Sequence, residues 1–155
     1  AKNQALFEME NCKIVTRLLD GEFLNYGSVI PENWETRIRV DKSAIQECFE
    51  RISLISSSSI EKEKKYPVKV NIDIGKVTIS CTNQTGDAKE EMYISTEGKN
   101  LEAGFNPKYF LDAFRAIDDQ EVYIDFGTSI SPCIIRPVEE GGDYVYMVLP
   151  IRMKE

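Results

Sequence analysis

From Thr36 the chain alternates, with Thr36, Ile38 and Val40 separated by Arg37 and Arg39. That period of two predicts a half-buried strand. Asp41 follows, and its carboxylate can accept the free amide hydrogens of a first helical turn. Ile45, Cys48, Phe49 and Ile52 then recur at spacings of three and four, an apolar stripe on one helix face, with Lys42, Gln46, Glu50 and Arg51 away from it. Residues 56–65 are rich in Ser, Glu and Lys and predict a loop. Three strands are expected next, over 68–74, 77–82 and 90–96, punctuated by Gly75-Lys76 and by 83–87.

The same order then returns. A strand is expected at 101–105, with Asn106 as cap and Pro107 at the first helical position, where its missing amide hydrogen costs nothing. The second stripe is Phe110, Leu111, Phe114 and Ile117, followed by strands at 121–126, 132–137 and 143–149. An offset of 65 residues maps Val40 on Phe105, Asp41 on Asn106, Ile45 on Phe110, Phe49 on Phe114 and Ile52 on Ile117. Both halves read β-α-β-β-β, an internal repeat. Each half must bury one helix stripe and one sheet face. The expected fold class is therefore α+β, an internally duplicated unit with two helices packed on one side of antiparallel sheets.

Upstream, apolar runs at 5–10 and 13–19 flank Asn11-Cys12 and predict a hairpin; 20–27 is turn-rich, and Pro31 should end a Val29-Ile30 extension. A two-stranded hairpin buries too little surface to stand alone. This segment is expected to be a flap, or the end of a domain lying upstream.

The 155 residues are 42% hydrophobic and 29% charged, which suits one packed domain with a small appendage and excludes global disorder. With 19 Lys+Arg against 26 Asp+Glu the net charge is -7, so no bulk attraction to nucleic acid or anionic membrane is expected. Histidine is absent, which removes His-based acid–base catalysis, Ser-His-Asp triads and His-ligated metals. Cys12, Cys48, Cys81 and Cys133 have no CxxC spacing and read as buried, reduced thiols of a cytosolic protein. No apolar run is long enough to span a membrane. The chain starts Ala1-Lys2-Asn3-Gln4, without a signal-peptide core or initiator Met, and is expected to be a fragment.

Little conventional chemistry remains. Asp118-Asp119 and Glu139-Glu140 are adjacent pairs, and adjacent strand residues point to opposite faces. No glycine pattern cradles phosphate, Ser56 to Ser59 has no base, and Asn83-Gln84-Thr85 reads as a turn. Lys108 and Arg115, seven apart on the second helix, and Lys42 and Arg51 on the first, make local positive points if both helices share a side. The run from Tyr144 to Ile151 is a strand that Pro150 must end or hold at an edge. Met147, Leu149 and Ile151 share a face there and can line a groove, with Leu24 and Val29 as companions.

Three stretches carry a resemblance: 17–26 (RLLDGEFLNY), 104–113 (GFNPKYFLDA) and 148–152 (VLPIR). In that order, and with this element order, the chain resembles the C-terminal part of the bacterial DNA polymerase III beta subunit, the replicative sliding clamp. The resemblance implies the DNA-clamp fold, with 1–33 as the end of the second clamp domain and 34–155 as the complete third. It implies a non-enzyme without cofactor or metal, located in the cytoplasm, that closes head to tail with a second copy around duplex DNA. It would tether the polymerase III alpha subunit, the clamp loader and other proteins carrying a short clamp-binding peptide.

Carried onto this sequence, the peptide groove would be Leu24, Ser28, Val29, Asn106, Tyr109, Ile130, Met147, Leu149, Pro150, Ile151 and Arg152. Leu24 stands where proline is frequent and Ser28 where a basic residue is frequent; Lys154-Glu155 extends past the usual end. Lys42, Arg51, Lys108 and Arg115 would face DNA phosphates through weak contacts. Leu54 and Ile55, with Asp87, Glu90 and Glu91, would form the subunit contact. The competing readings are an acidic α+β protein-interaction domain with no DNA role, and an enzyme using carboxylates or a cysteine.

Overall fold

A computed structural model describes residues 3–57, 66–139, 141–142 and 144–153. Of the loop expected at 56–65, residues 58–65 lie outside the described residues, as do Ala1-Lys2, Glu140, Asp143 and the terminal Lys154-Glu155. The hairpin is β1 (Gln4–Met9) and β2 (Cys12–Arg17), antiparallel with Met9 opposite Cys12. A 3-10 turn (Tyr26–Ser28) precedes β3 (Thr36–Asp41) and α1 (Lys42–Ser57). Then come β4 (Val68–Asp73), β5 (Lys76–Asn83), β6 (Gly86–Tyr93) and β7 (Ser95–Gly98). The second half is β8 (Leu101–Phe105), α2 (Pro107–Arg115), β9 (Glu121–Phe126), β10 (Cys133–Pro137), β11 (Tyr146–Val148) and β12 (Pro150–Ile151).

Both expected caps form. Asp41 Oδ1 accepts from the Ala44 amide at 2.7 Å, and Asn106 Oδ1 from the Lys108 amide at 3.0 Å, each satisfying an orphan donor of a first turn. The strands form two five-stranded antiparallel sheets, in the orders β11-β10-β9-β3-β7 and β12-β8-β4-β5-β6. Each sheet takes three strands from one half of the repeat and two from the other. In register, Ile38 of β3 stands opposite Ile124 of β9, and Val70 of β4 opposite Ala103 of β8. This exchange ties the halves into one body.

Both helices pack on the apolar side of the sheets and touch each other. The Phe49 and Phe110 rings stack at 4.6 Å, Phe114 lies 6.0 Å from Phe49, and Phe105 meets Phe110 edge-on at 5.2 Å. The duplicated α+β clamp fold expected from the repeat is the fold observed. Every stripe residue named above is buried, Ile117 included although α2 ends at Arg115. Among the described residues no helix is long and apolar enough to cross a membrane.

The differences from expectation are local. The strand expected at 90–96 is two strands in different sheets, broken at Ile94, because β7 crosses to pair with β3. Gly98 ends β7 at φ +94°, and a Cβ there would sit 1.9 Å from the Glu35 carbonyl oxygen. Pairing opposite Thr36 therefore requires glycine at this position. The strand expected at 143–149 shrinks to Tyr146–Val148, and Pro150-Ile151 crosses to the edge of the other sheet beside β8, where proline's missing donor is harmless. Ser56, expected in a loop, is buried in the last turn of α1 and donates to the Tyr66 carbonyl at 2.5 Å. Val29-Ile30 is not a strand; the segment turns, with the Val29 and Ile30 amides donating to the Tyr26 carbonyl. Cys48, Cys81 and Cys133 are buried free thiols, but Cys12 is exposed, because both faces of the hairpin are open to solvent.

Candidate functional site

The site grows from how the second half ends. The Asn106 cap and Pro107 start α2 directly at the end of β8, so Tyr109 falls on the outer side of the first turn, 54% exposed. Asp112 and Ala113 follow three and four residues later on the same face. Opposite them runs β11, with Met147 paired to Ile134 and Val148 to Cys133 on β10. Because β11 has three residues and the chain then leaves for the other sheet, α2 stays uncovered along this side.

The result is a groove of about 410 Å³ walled by Tyr109, Asp112, Ala113 and residues Tyr146 to Leu149. Met147 is 39% and Leu149 58% exposed, high for side chains of this type. Tyr146 fastens one end by donating from its hydroxyl to the Ala116 carbonyl at 3.4 Å. The neighbouring Tyr144 hydroxyl donates to Asp119 at 2.6 Å; partial burial first, and this carboxylate second, push its pKa well above the ordinary tyrosine value. An apolar slot with one carboxylate on its wall can take an apolar or aromatic anchor, and it offers no converging acid–base pair.

The expected groove residues are not all brought together in this slot. Tyr109, Met147 and Leu149 line it directly. Pro150 and Ile151 continue from it along β12, and Arg152 follows, exposed. Asn106 spends its side-chain oxygen on the helix cap. Ile130 is exposed in the loop between β9 and β10. Leu24, Ser28 and Val29 are exposed on and around the 3-10 turn and are not among the slot's walls; Ser28 Oγ donates to the Asn25 carbonyl at 2.8 Å. Asp112, Ala113, Tyr146 and Val148 were not anticipated as walls. The helical spacing from Tyr109 could have found the first two.

The basic helix residues differ among themselves. Arg51 is held by Glu90 of β6 through two 2.6 Å bonds and reaches Glu47 at 3.5 Å. Arg115 lies 3.7 Å from Asp112. Lys42 is half-buried and Lys108 exposed, and among the described residues neither has an ion-pair partner. On β6 the alternation separates the acids: Asp87 and Glu91 are exposed on one face, while Glu90 turns to the other, against α1. Arg51 holds the Glu90 carboxyl below its ordinary value, and Lys89 and Lys76 do the same for Glu91. Burial, reinforced by Glu90, pushes the Cys48 thiol up to about 12, which leaves it unreactive. Leu54 is 69% exposed; Ile55 is half-buried against the core. Among the described residues no cluster of three or more Cys, Asp or Glu is placed to hold a metal ion.

Comparison with known proteins places this geometry in a family. The family model described as DNA polymerase III beta subunit, C-terminal domain, matches residues 27–152. The chain is 33% identical over 155 residues to the beta sliding clamp of Staphylococcus aureus and 31% identical over 154 residues to that of Staphylococcus epidermidis. Each alignment covers 98% of this chain and 40% of the relative. Among solved structures, a putative DNA polymerase III beta subunit from Eubacterium rectale superposes with a TM-score of 0.86 at 32% identity, over 97% of this chain and 40% of that one. The DNA polymerase sliding clamp from Bacillus subtilis gives 0.87 at 28% identity, over 99% and 40%. This chain therefore belongs to the bacterial DNA polymerase III beta subunit family, the sliding clamps of DNA replication, whose members are non-catalytic. It spans about 40% of the length of the relatives it matches.

Proposed function

We propose that this chain serves as the peptide-docking part of a processivity clamp, with 1–33 closing the second clamp domain and 34–155 forming the third. As part of a longer polypeptide it closes head to tail with a second copy around duplex DNA in the cytoplasm. It tethers the polymerase III alpha subunit, the clamp loader and other proteins bearing a short apolar–aromatic peptide. The observation that carries the reading is the open slot between α2 and β11, lined by Tyr109, Met147 and Leu149 in a member of the clamp family. Leu24, Ser28, Val29, Asn106, Ile130, Pro150, Ile151 and Arg152 form its margins. Burying apolar anchors at about 25 cal/mol per Å² supplies the affinity.

Lys42 and Lys108, with Arg51 and Arg115, give the helix face the sparse positive charge that sliding along phosphates needs. Leu54, Ile55, Asp87, Glu90 and Glu91 form the contact with the neighbouring copy. The engagement of Arg51 by Glu90 and the nearness of Arg115 to Asp112 favour a second reading, an acidic protein-interaction domain with no DNA role. Fluorescence polarisation with a labelled peptide bearing leucine and phenylalanine anchors tests the groove, with Met147→Ala beside it. Binding weakened roughly tenfold by the substitution supports docking in the slot. Binding unchanged by it, or absent from the intact protein, removes the groove. Loading of the intact protein on circular duplex DNA separates the two readings.

A further inference from the structure

The sheet β11-β10-β9-β3-β7 has an outer face, away from the helices, and that face is not plain surface. Ile134 alternates with Cys133 and Ile135, so it points outward, yet it is 2% exposed. Beside it Asp125, the buried carboxylate among the described residues, has a side chain only 6% exposed. Arg37, directly opposite in register, grips Asp125 with Nε at 2.5 Å and Nη2 at 2.8 Å. Arg136 of β10 brings Nε to 3.3 Å from Oδ2, the oxygen that also accepts from Arg37 Nη2, an electrostatic contact without a hydrogen bond. What covers this cluster is the segment from Pro31 to Trp34, the linker between the 3-10 turn and β3. Pro31, Glu32, Asn33 and Trp34 wall a cavity of about 10 Å³ together with Asp125, Ile134 and Arg136.

Two arginines join sheet to linker. Arg136 Nη2 donates to the Pro31 carbonyl at 3.2 Å. The Arg37 guanidinium carbon lies 4.7 Å from the Trp34 ring centroid and 4.6 Å from that of Tyr123, within cation–π range of both. A buried carboxylate between two arginines is a costly arrangement for stability alone, and apolar residues would cover a sheet more cheaply. Its specific product is geometry, because bidentate arginine contacts fix direction as well as distance.

We propose that Asp125, Arg37 and Arg136, with Trp34, form a latch that locks the linker on the outer sheet face and so positions the 24–29 loop relative to the α2–β11 slot. The mechanical path is short. The Ile30 amide, next to Pro31, donates to the Tyr26 carbonyl, and the Tyr26 amide donates to the Leu24 carbonyl. At the sheet end, Ile134 beneath the linker pairs in register with Met147 at the slot. These are positioning residues: none of them touches the docked peptide. The linker's locking stands by itself, while its effect on docking rests on the groove reading above.

The test uses Asp125→Asn and Arg136→Met in the intact protein. Asp125→Asn leaves two arginines without their anion, so Arg136→Met, which keeps the stem and loses the reach to Pro31, decides if the first variant does not fold. Hydrogen exchange at the Val29 and Ile30 amides should quicken roughly tenfold, the loss of about one charge-assisted hydrogen bond, while Ile124 in β9 is unchanged. Emission of Trp34, the single tryptophan of these 155 residues, should shift to longer wavelength as the ring is released. Affinity for the leucine–phenylalanine peptide should fall several-fold, though no slot residue has changed. Unaltered exchange and emission overturn the latch. Faster exchange with unaltered affinity overturns its positioning role. If the unsubstituted protein binds no peptide, the groove reading falls, and exchange and emission still decide whether the linker is locked.

Discussion

The two halves of the repeat build the same unit and finish it differently. In the first, α1 runs for 16 residues and β6 for eight, and Arg51 bridges the helix to Glu90 on that strand. Cys48, facing the same seam, is fully buried. In the second, α2 has nine residues and β11 three, and no comparable arginine crosses between them among the described residues. The 65-residue offset places Ala44 where Tyr109 stands, and Cys48 where Ala113 stands. One half is closed by a long strand and an ion pair; the other is left open by a short strand and lined with Tyr109, Met147 and Leu149. An open slot thus arises here by ending a strand early, above a core that the two halves share.

That shared core is where the largest effect is expected. Phe49 of the closed half stacks on Phe110 of the open half and is 1% exposed. Phe49→Ala should cost about 3–5 kcal/mol, as large aromatic-to-alanine changes in packed cores do. Urea denaturation should show both halves unfolding together at the lower midpoint. Independent loss of the first half alone would break the comparison, because it would make the halves separate bodies.

The crossing strands come next. A Cβ on Gly98 would meet the Glu35 carbonyl oxygen at 1.9 Å from a backbone at φ +94°. On Gly104, opposite Ile151, it would meet the flexible Met153 side chain at 2.7 Å and the Ile151 carbonyl oxygen at 3.1 Å. Gly98→Ala should therefore destabilise by about 2 kcal/mol or more and Gly104→Ala by about 1 kcal/mol or less, read as thermal midpoints. Equal losses would mean that both halves hold their crossing strand equally tightly.

The sequence made most of this fold legible, for identifiable reasons. The stripes at Ile45 to Ile52 and Phe110 to Ile117, and the caps Asp41 and Asn106, are local signals that the tertiary structure reinforces. The sheet exchange was not legible, since which strand β7 joins depends on a register set by distant residues and on Gly98. The slot was half legible. Met147 and Leu149 stand out as apolar residues around a proline, and Asp112 follows from the helical spacing of Tyr109, whereas Tyr146 and Val148 become walls only because β11 stops short. The linker cluster was invisible because Asp125, Arg37 and Arg136 are alternate charged positions on three strands, ordinary solvent-face residues until a linker covers them.

At the slot itself a smaller stability effect is expected, with a large effect on binding. Tyr109 is 54% exposed, so Tyr109→Ala should change stability by less than about 1 kcal/mol. Peptide affinity should fall roughly tenfold, the loss typical of an aromatic wall residue in a small pocket. Ala44→Tyr, which builds the same side chain on the closed half, should create no binding, because β6 and the Arg51–Glu90 pair occupy that seam. Peptide bound to an Ala44→Tyr, Tyr109→Ala double variant would show that the side chain, not the open strand end, makes the slot.

The smallest effect concerns the ion pair that closes the first half. Arg51 lowers the Glu90 carboxyl below its ordinary value of 4.5 against the opposing effect of burial, with a lesser contribution from a hydrogen bond donated by Cys48. A carboxyl lowered on folding stabilises the native state at pH values above its unfolded value and loses that contribution as pH falls through the folded one. Stability should therefore decline on acidification below about pH 4.5, and in Glu90→Gln that part of the decline should be missing. Both groups of the pair are partly exposed, so the difference should be modest and should shrink in high salt. Denaturant titrations of both proteins across this range measure it. Identical pH profiles would show that the length of β6, and not the Arg51–Glu90 pair, keeps the first half shut.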